Sequence, residues 1–450
     1  MNATRTLIYS AMILIGSPPG FAADTLTLES ALQQLPKSLE WQSADLTYAA
    51  ADQNLNAARA AAGLSLTVGG DAQAGVAVIG SPQVSAGATA ASLNIAGSAS
   101  LALLPWSAAF DGVRTATRSL NRAALDLRDT RNALEIQLTQ FYQNARIAAL
   151  DADNARSSER LATQQLAVAS AQQKNRQATK DTVENTRKLL ENAKLTTLQA
   201  AQNLELSRTQ LFNAILATDA GETLEPATPA PMVLQPLEAL IQTGLAQRVD
   251  VQKALSRVGD AEDALNVATR NRLLPSGSLG LSFGQGNGGT GVNANLGIAT
   301  GNLSVTGSTP LTGSNTAATS LTVSLSAQIA VFDPNADAKI RSASLSLDSS
   351  RKALESTRVA AALDVRQKYA DAALQSRRYT YQQQVLGNAV SALETARTRL
   401  ALGSIAALEV TQAQITVAQA QRDLENQLGL QNSSALRLKN SIGIYKGESP

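Results

Sequence analysis

The stretch Ala396–Gln421, ARTRLALGSIAALEVTQAQITVAQAQ, decides how the chain is read. Helix-forming residues flank Gly403 on both sides, and glycine permits the positive φ that ends a helix sharply. At a distance of 225 positions towards the N-terminus, Ala171–Thr196 reads AQQKNRQATKDTVENTRKLLENAKLT, the same layout without a gap. Ala171 matches Ala396, Glu184 matches Glu409, Ala193 matches Ala418, and Ala178 stands where Gly403 does. A helix break repeated half a chain apart is architecture, a hairpin turn used twice.

Working outward, each break ends a very long helix. From Ser107 to Gln177 the chain is almost free of glycine and has no proline. Apolar residues recur at three and four in Leu120, Ala124, Leu127, Leu134 and Leu138. About 70 residues at 1.5 Å each predict a rod on the order of 100 Å. A return helix follows over 181–217. The second copy predicts a long helix over 335–402 and a return helix over 405–442. Tyr142 with Tyr369, Arg131 with Arg358 and Ala145 with Ala372 keep an offset of 227 between the copies.

Two regions break the helical period. Over 64–104 and 277–331, glycine, serine and threonine abound, and apolar residues alternate with small or polar ones as in a strand. About two strands are expected in each, four per chain. The segment 218–236 holds Pro226, Pro229, Pro231 and Pro236 and reads as a linker. The order is therefore a first repeat at 24–217, a linker, a second repeat at 237–443 and a tail at 444–450. Each repeat runs helices, strands, long helix, helix. A basic start, the apolar stretch Leu7–Ile15 and small residues at Ala22 and Ala23 read as a secretory signal peptide, cleaved after 22 or 23. Export is expected, without a lipidated cysteine.

Composition excludes several chemistries. The 450 residues contain no Cys and no His, which removes thiol nucleophiles, Cys/His zinc sites and Ser-His-Asp catalysis. A formal net charge of +2 gives no reason to expect nucleic acid. The formal G-x-G-x-x-G at Gly284, Gly286 and Gly289 is followed by further alternating residues instead of a helix, so it is a loop and not a dinucleotide site. No enzyme, cofactor or metal is expected.

Four strands cannot close on themselves, and strands in lipid must form a closed barrel of at least about eight. The chain must then oligomerise. Aromatic girdle residues are sparse, with Trp106, Phe110, Phe283 and Phe332 near the strands.

At this point the residues resemble a known family. LTLESALQQL, the segment Ala239–Gly284 with Arg248-Val249-Asp250-Val251 where the family has Arg-Pro-Asp-Leu, VFDP before the second long helix, and RLALGSIAALEVTQAQITVAQAQRDL together resemble the TolC-type outer-membrane efflux proteins. The resemblance implies an α+β membrane protein. Its homotrimer would combine a twelve-stranded β-barrel, four strands per chain, with an α-helical barrel in the periplasm. It implies a passive exit duct for efflux or type I secretion, joined to a periplasmic adaptor and an inner-membrane ABC or proton-driven pump, with outer-membrane lipid around the barrel. On this reading the adaptor-docking tip comprises Lys174, Ala178, Thr179, Lys180, Arg399, Gly403 and Ser404. The gate comprises Glu409 and Gln412 with their first-copy counterparts Glu184 and Arg187. A periplasm-spanning structural tether is the alternative use of the same helices.

Overall fold

The computed structural model describes residues 25–76, 89–219, 221–226, 228, 235–285, 290–310 and 319–444. The expected signal peptide, the linker residues Pro229 and Pro231, the glycines Gly286 and Gly289, and all but the first residue of the tail lie outside these residues. The chain forms two compact units: Met1–Ser38, Gln137–Ala230 and Arg378–Asn432 make one, and Leu39–Ile136, Pro231–Arg377 and Ser433–Pro450 the other.

The elements alternate as the duplication requires. The first repeat comprises α1 (Leu28–Gln34), α2 (Leu39–Ala62), β2 (Ser65–Val76), β3 (Thr89–Ala102), α3 (Ala108–Lys174) and α4 (Lys180–Ala214). The second comprises α5 (Leu237–Gln247), α6 (Val249–Leu273), β5 (Ser276–Gln285), β6 (Gly291–Gly297), β7 (Asn302–Pro310), β8 (Thr319–Gln328), α7 (Pro334–Ala401) and α8 (Ala407–Ser441). Two short strands, β1 (Thr25–Leu26) and β4 (Thr223–Leu224), pair in parallel. At two residues each, these strands are too short to carry a period in the sequence.

Within the first unit, burial along α3 falls at Leu138, Ala145 and Ala152 and at Ala148, Ala155, Ala162 and Ala169. These are seven-residue steps, the two seam positions of a heptad, where small residues let helices approach closely. Ala152 and Ala155 pack on Ala200 of α4. In the second unit, Leu347, Leu354 and Ala361 of α7 keep the same interval and pack on Val251, Ala254, Val258 and Ala261 of α6. Leu138 with Val365 and Ala145 with Ala372, all buried, repeat the offset of 227 in the packing.

The second unit holds one six-stranded antiparallel sheet, ordered β2-β3-β7-β6-β5-β8. The expectation of four strands is corrected to six. The first region carries the two strands foreseen, whereas the second carries four. Its alternating pattern continues through a turn at Ile298–Gly301, which a period count reads straight across; Gly301 has φ +67 there. The two edges, β2 and β8, have no strand partner within the chain among the described residues.

Candidate functional site

Two places could serve a channel: the sheet, and the two helical hairpin turns. In an antiparallel pair, directly opposed residues share a face. The register therefore puts Leu66, Leu93, Ile95, Leu303, Val305, Val292, Leu296, Leu279, Leu281, Phe283, Leu321, Val323 and Leu325 on one face of the sheet. The opposite face carries Ser, Thr, Asn and Gly: Thr67, Asn94, Ser98, Thr306, Asn293, Ser282 and Ser324 are representative. Asp71 is the only charged residue in the six strands. Leu66, Val68, Leu321, Val323 and Leu325 are exposed. A soluble sheet does not leave such a surface open, whereas an apolar-out, polar-in alternation over strands of about ten residues suits a membrane barrel. On the polar face the Ser65 and Ser100 hydroxyls hydrogen-bond at 2.6 Å.

The sheet is tied to the helices at one end. Trp106 Nε1–H donates to the Ile298 carbonyl at 3.0 Å, and the Leu103 and Leu104 amides both donate to the Gly301 carbonyl at 3.0 Å. Arg272, at the end of α6, holds Asp337 at 3.1 Å and the Ala330 carbonyl at 2.9 Å.

The hairpin turns have a common geometry. At the end of α7 the Gly403 amide donates to the Leu400 carbonyl and the Ser404 amide to the Arg399 carbonyl, both at 2.9 Å, with φ +70 at Gly403. This is a Schellman cap, and the Ser404 hydroxyl adds a bond to the Arg399 carbonyl at 2.9 Å. At the end of α3 the Arg176 amide bonds to Gln173 at 2.9 Å and the Gln177 amide to Gln172 at 2.8 Å, with φ +57 at Arg176. The counterpart of Gly403 is thus Arg176 (403 − 176 = 227) and not Ala178, which lies two residues further on. Matching letters favoured 225; hydrogen bonding keeps the 227 of the helices. Lys174 is the last residue of α3, and the counterpart of Arg399 is Gln172. Thr179 caps α4 by accepting from the Thr182 amide at 3.2 Å, with Lys180 first in the helix.

The same register moves the acidic residues. Glu409 is the third residue of α8 and at the offset of 227 corresponds to Thr182, not Glu184. Glu409 is exposed and forms no ion pair among the described residues; an acid in the first turn favours the positive end of the helix dipole. Gln412 is exposed one turn later. Glu184 is already paired, to Arg187 Nη1 at 3.1 Å.

Arg248, noted in sequence only as part of a departing motif, proves to be a pin. Its guanidinium donates to Asp250 at 3.0 and 2.8 Å, to Asp364 of α7 at 2.7 Å and to the Ser441 carbonyl at 3.1 Å. Hydrogen bonds to Asp250 and then Asp364, against the opposing effect of burial, raise the Arg248 pKa above its ordinary value. Burial would raise the Asp250 carboxyl, but the bond and charge of Arg248 outweigh it and hold that carboxyl below the usual range. In the first unit Tyr142 does comparable work. Its hydroxyl lies 2.7 Å from the Leu26 carbonyl and 2.8 Å from that of Glu225, tying α3 to the β1–β4 pair, and burial pushes its pKa up to about 12.

Among the described residues no group of acidic side chains could hold a metal ion, and no helix is long and apolar enough to cross a membrane. Residues 240–444 match a family model described as outer membrane efflux protein. No curated protein matches the chain by sequence. Among solved structures, the fold is similar to the outer membrane protein VceC of Vibrio cholerae (TM-score 0.66, 14% identity, covering 92% of this chain and 96% of that one). It is likewise similar to the CmeC outer membrane channel of Campylobacter jejuni (0.68, 14%, 94% and 87%). The open-state MtrE outer membrane channel of Neisseria gonorrhoeae also matches (0.61, 16%, 95% and 94%).

Proposed function

We propose that the chain, whose residues 240–444 match the outer membrane efflux protein model, is a member of that family and the exit duct of a tripartite efflux or type I secretion system. The observation that carries this reading is the two-faced sheet. It is apolar on one side, polar with the single charge of Asp71 on the other, and both edges are open for pairing to further copies. Three chains would close the wall in the outer membrane, with the helices extending into the periplasm. Transport is passive: the family is one of channels, and energy comes from an inner-membrane ABC or proton-driven pump coupled through a periplasmic adaptor.

The docking tip is the pair of hairpin turns, with Lys174, Ala178, Thr179, Lys180, Arg399, Gly403 and Ser404 at or beside them. The gate is assigned to Glu409 and Gln412 of α8 with Glu184 and Arg187 of α4. Because Arg187 neutralises Glu184, the acidic character of this gate rests on Glu409. Purified protein in planar bilayers tests the reading. Stable trimers with unitary currents support it, whereas trimers that never conduct favour a structural tether. Adaptor pull-down unchanged by Arg399→Ala and Gly403→Pro together would remove the tip assignment.

A further inference from the structure

The second copy of the strand region departs from the first in a way that bears on the pore. The first hairpin, β2 to β3, spans 65–102, which is 38 residues; its counterpart spans 276–328, which is 53. The additional 15 do not form a longer loop. In the sheet β5 pairs with β8 as β2 pairs with β3, but the connection between β5 and β8 contains β6 and β7, folded back beside β5. Removing these two strands would bring β3 next to β5, again antiparallel, and leave four strands per chain. β6 and β7 are thus a hairpin set into the loop of a hairpin.

We propose that this β6–β7 hairpin is part of the membrane wall, so that each chain supplies six strands and a ring of three copies closes at eighteen, not twelve. The proposal rests on the trimeric duct reading above. Three observations carry it. β7 pairs with β3 without a gap from Asn94–Pro310 to Ala102–Asn302, and β6 pairs with β5 from Ser278–Gly297 to Gly284–Gly291, so both flanks are hydrogen-bonded wall. The faces are continuous: Val292, Leu296, Leu303 and Val305 join the apolar side of their neighbours, and Asn293 and Thr306 the polar side. A hairpin lying across the lumen or over the rim has no cause to keep that alternation. Its turn is also fixed at the helix end of the sheet by the Trp106 and Gly301 bonds.

Closure is consistent as well. Five antiparallel steps separate β2 from β8, so the two edges run in opposite directions. β8 of one copy meets β2 of the next in the antiparallel sense, and every added copy preserves an even strand count. Barrel diameter grows about linearly with strand number, so eighteen strands give a ring about 1.5 times as wide as twelve, in the range that leaves an aqueous channel. The lining is hydroxyl and amide apart from Asp71, which the register puts on the polar face opposite Asn94, one carboxylate per copy.

The test is an electron-microscopy reconstruction of the full chain in lipid nanodiscs, with strands counted around the ring, alongside a variant in which 286–318 is replaced by a two-residue turn. Eighteen strands in the native protein, and about two-thirds of that diameter in the variant, are expected. Twelve strands with β6–β7 outside the wall would overturn the inference while leaving the trimeric duct intact; absence of any closed ring would overturn the duct reading itself. Should the variant not fold, single cysteines in this cysteine-free chain decide the matter. Val305→Cys carrying a fluorophore should be quenched by spin-labelled acyl chains and Thr306→Cys by a water-soluble quencher. Equal responses at the two positions overturn the placement.

Discussion

Replacing Arg248 by alanine should destabilise the second unit by about 2–3 kcal/mol. The guanidinium is 16% exposed and makes four hydrogen bonds, three to carboxylate oxygens and one to the Ser441 carbonyl. Bonds to charged groups contribute about 1.5–3 kcal/mol each when desolvated, and far less when one partner reaches water. Asp250 is about half exposed and recovers hydration after truncation, so its share is small. Asp364 and the Ser441 carbonyl dominate the loss, partly offset by Lys368 at 4.0 Å from Asp364. Lysine at 248 reaches fewer of these acceptors and should fall between. The pH dependence reports the Asp250 share alone. Because the folded Asp250 carboxyl lies below its unfolded value of about 3.9, its contribution is present above that pH and lost as pH falls through the folded value. The gap between native and variant proteins should therefore be constant from pH 7 to 5 and lose only the small Asp250 share below about pH 4. Urea unfolding followed by circular dichroism measures it. An unchanged midpoint at pH 7 would refute the pin.

Tyr142, with its pKa pushed up to about 12, gives stability that is complete below its unfolded value near 10 and lost as pH rises towards 12; Tyr142→Phe should flatten the alkaline fall in melting temperature. Arg176→Gly should stabilise the first turn by about 1 kcal/mol, since a left-handed residue with a Cβ costs about that much. Gly403→Ala should lose a similar amount, for conformational reasons alone, because a Cβ there meets nothing within 4 Å; thermal melts of both variants check the pair of signs. Glu409→Gln should lower cation preference in single-channel reversal potentials, whereas Glu184→Gln, already paired with Arg187, should change it little.

Much of this fold was legible because helices announce themselves over many turns. The expected long helices at 107–177 and 335–402 are observed at Ala108–Lys174 and Pro334–Ala401. The strand regions were found, but not the number of strands in the second. Alternation reports a face, not a turn, and Ile298–Gly301 interrupts the strands without interrupting the pattern. The turn counterpart was misplaced for a related reason: Ala178 is the small residue, yet backbone hydrogen bonding selects Arg176, and residue type constrains φ only weakly when the cost is about 1 kcal/mol. Arg248 could be noticed but not understood. Its partner Asp364 lies more than a hundred residues away, and no local spacing connects them.

The sheet has a consequence for how the protein is made. β3 pairs with β7 across 200 residues, Ala102 against Asn302. Since synthesis runs from the N-terminus, nine backbone positions of β3 are ready long before their partner emerges, and contacts so distant along the chain form slowly. Through that interval the first repeat offers an unoccupied strand edge, a template for any extended chain it meets. β5, β6 and β7 close locally, one turn at a time, and have no comparable delay. The N-terminal half is therefore the aggregation-prone half in transit, and a holding chaperone has its clearest work at residues 94–102.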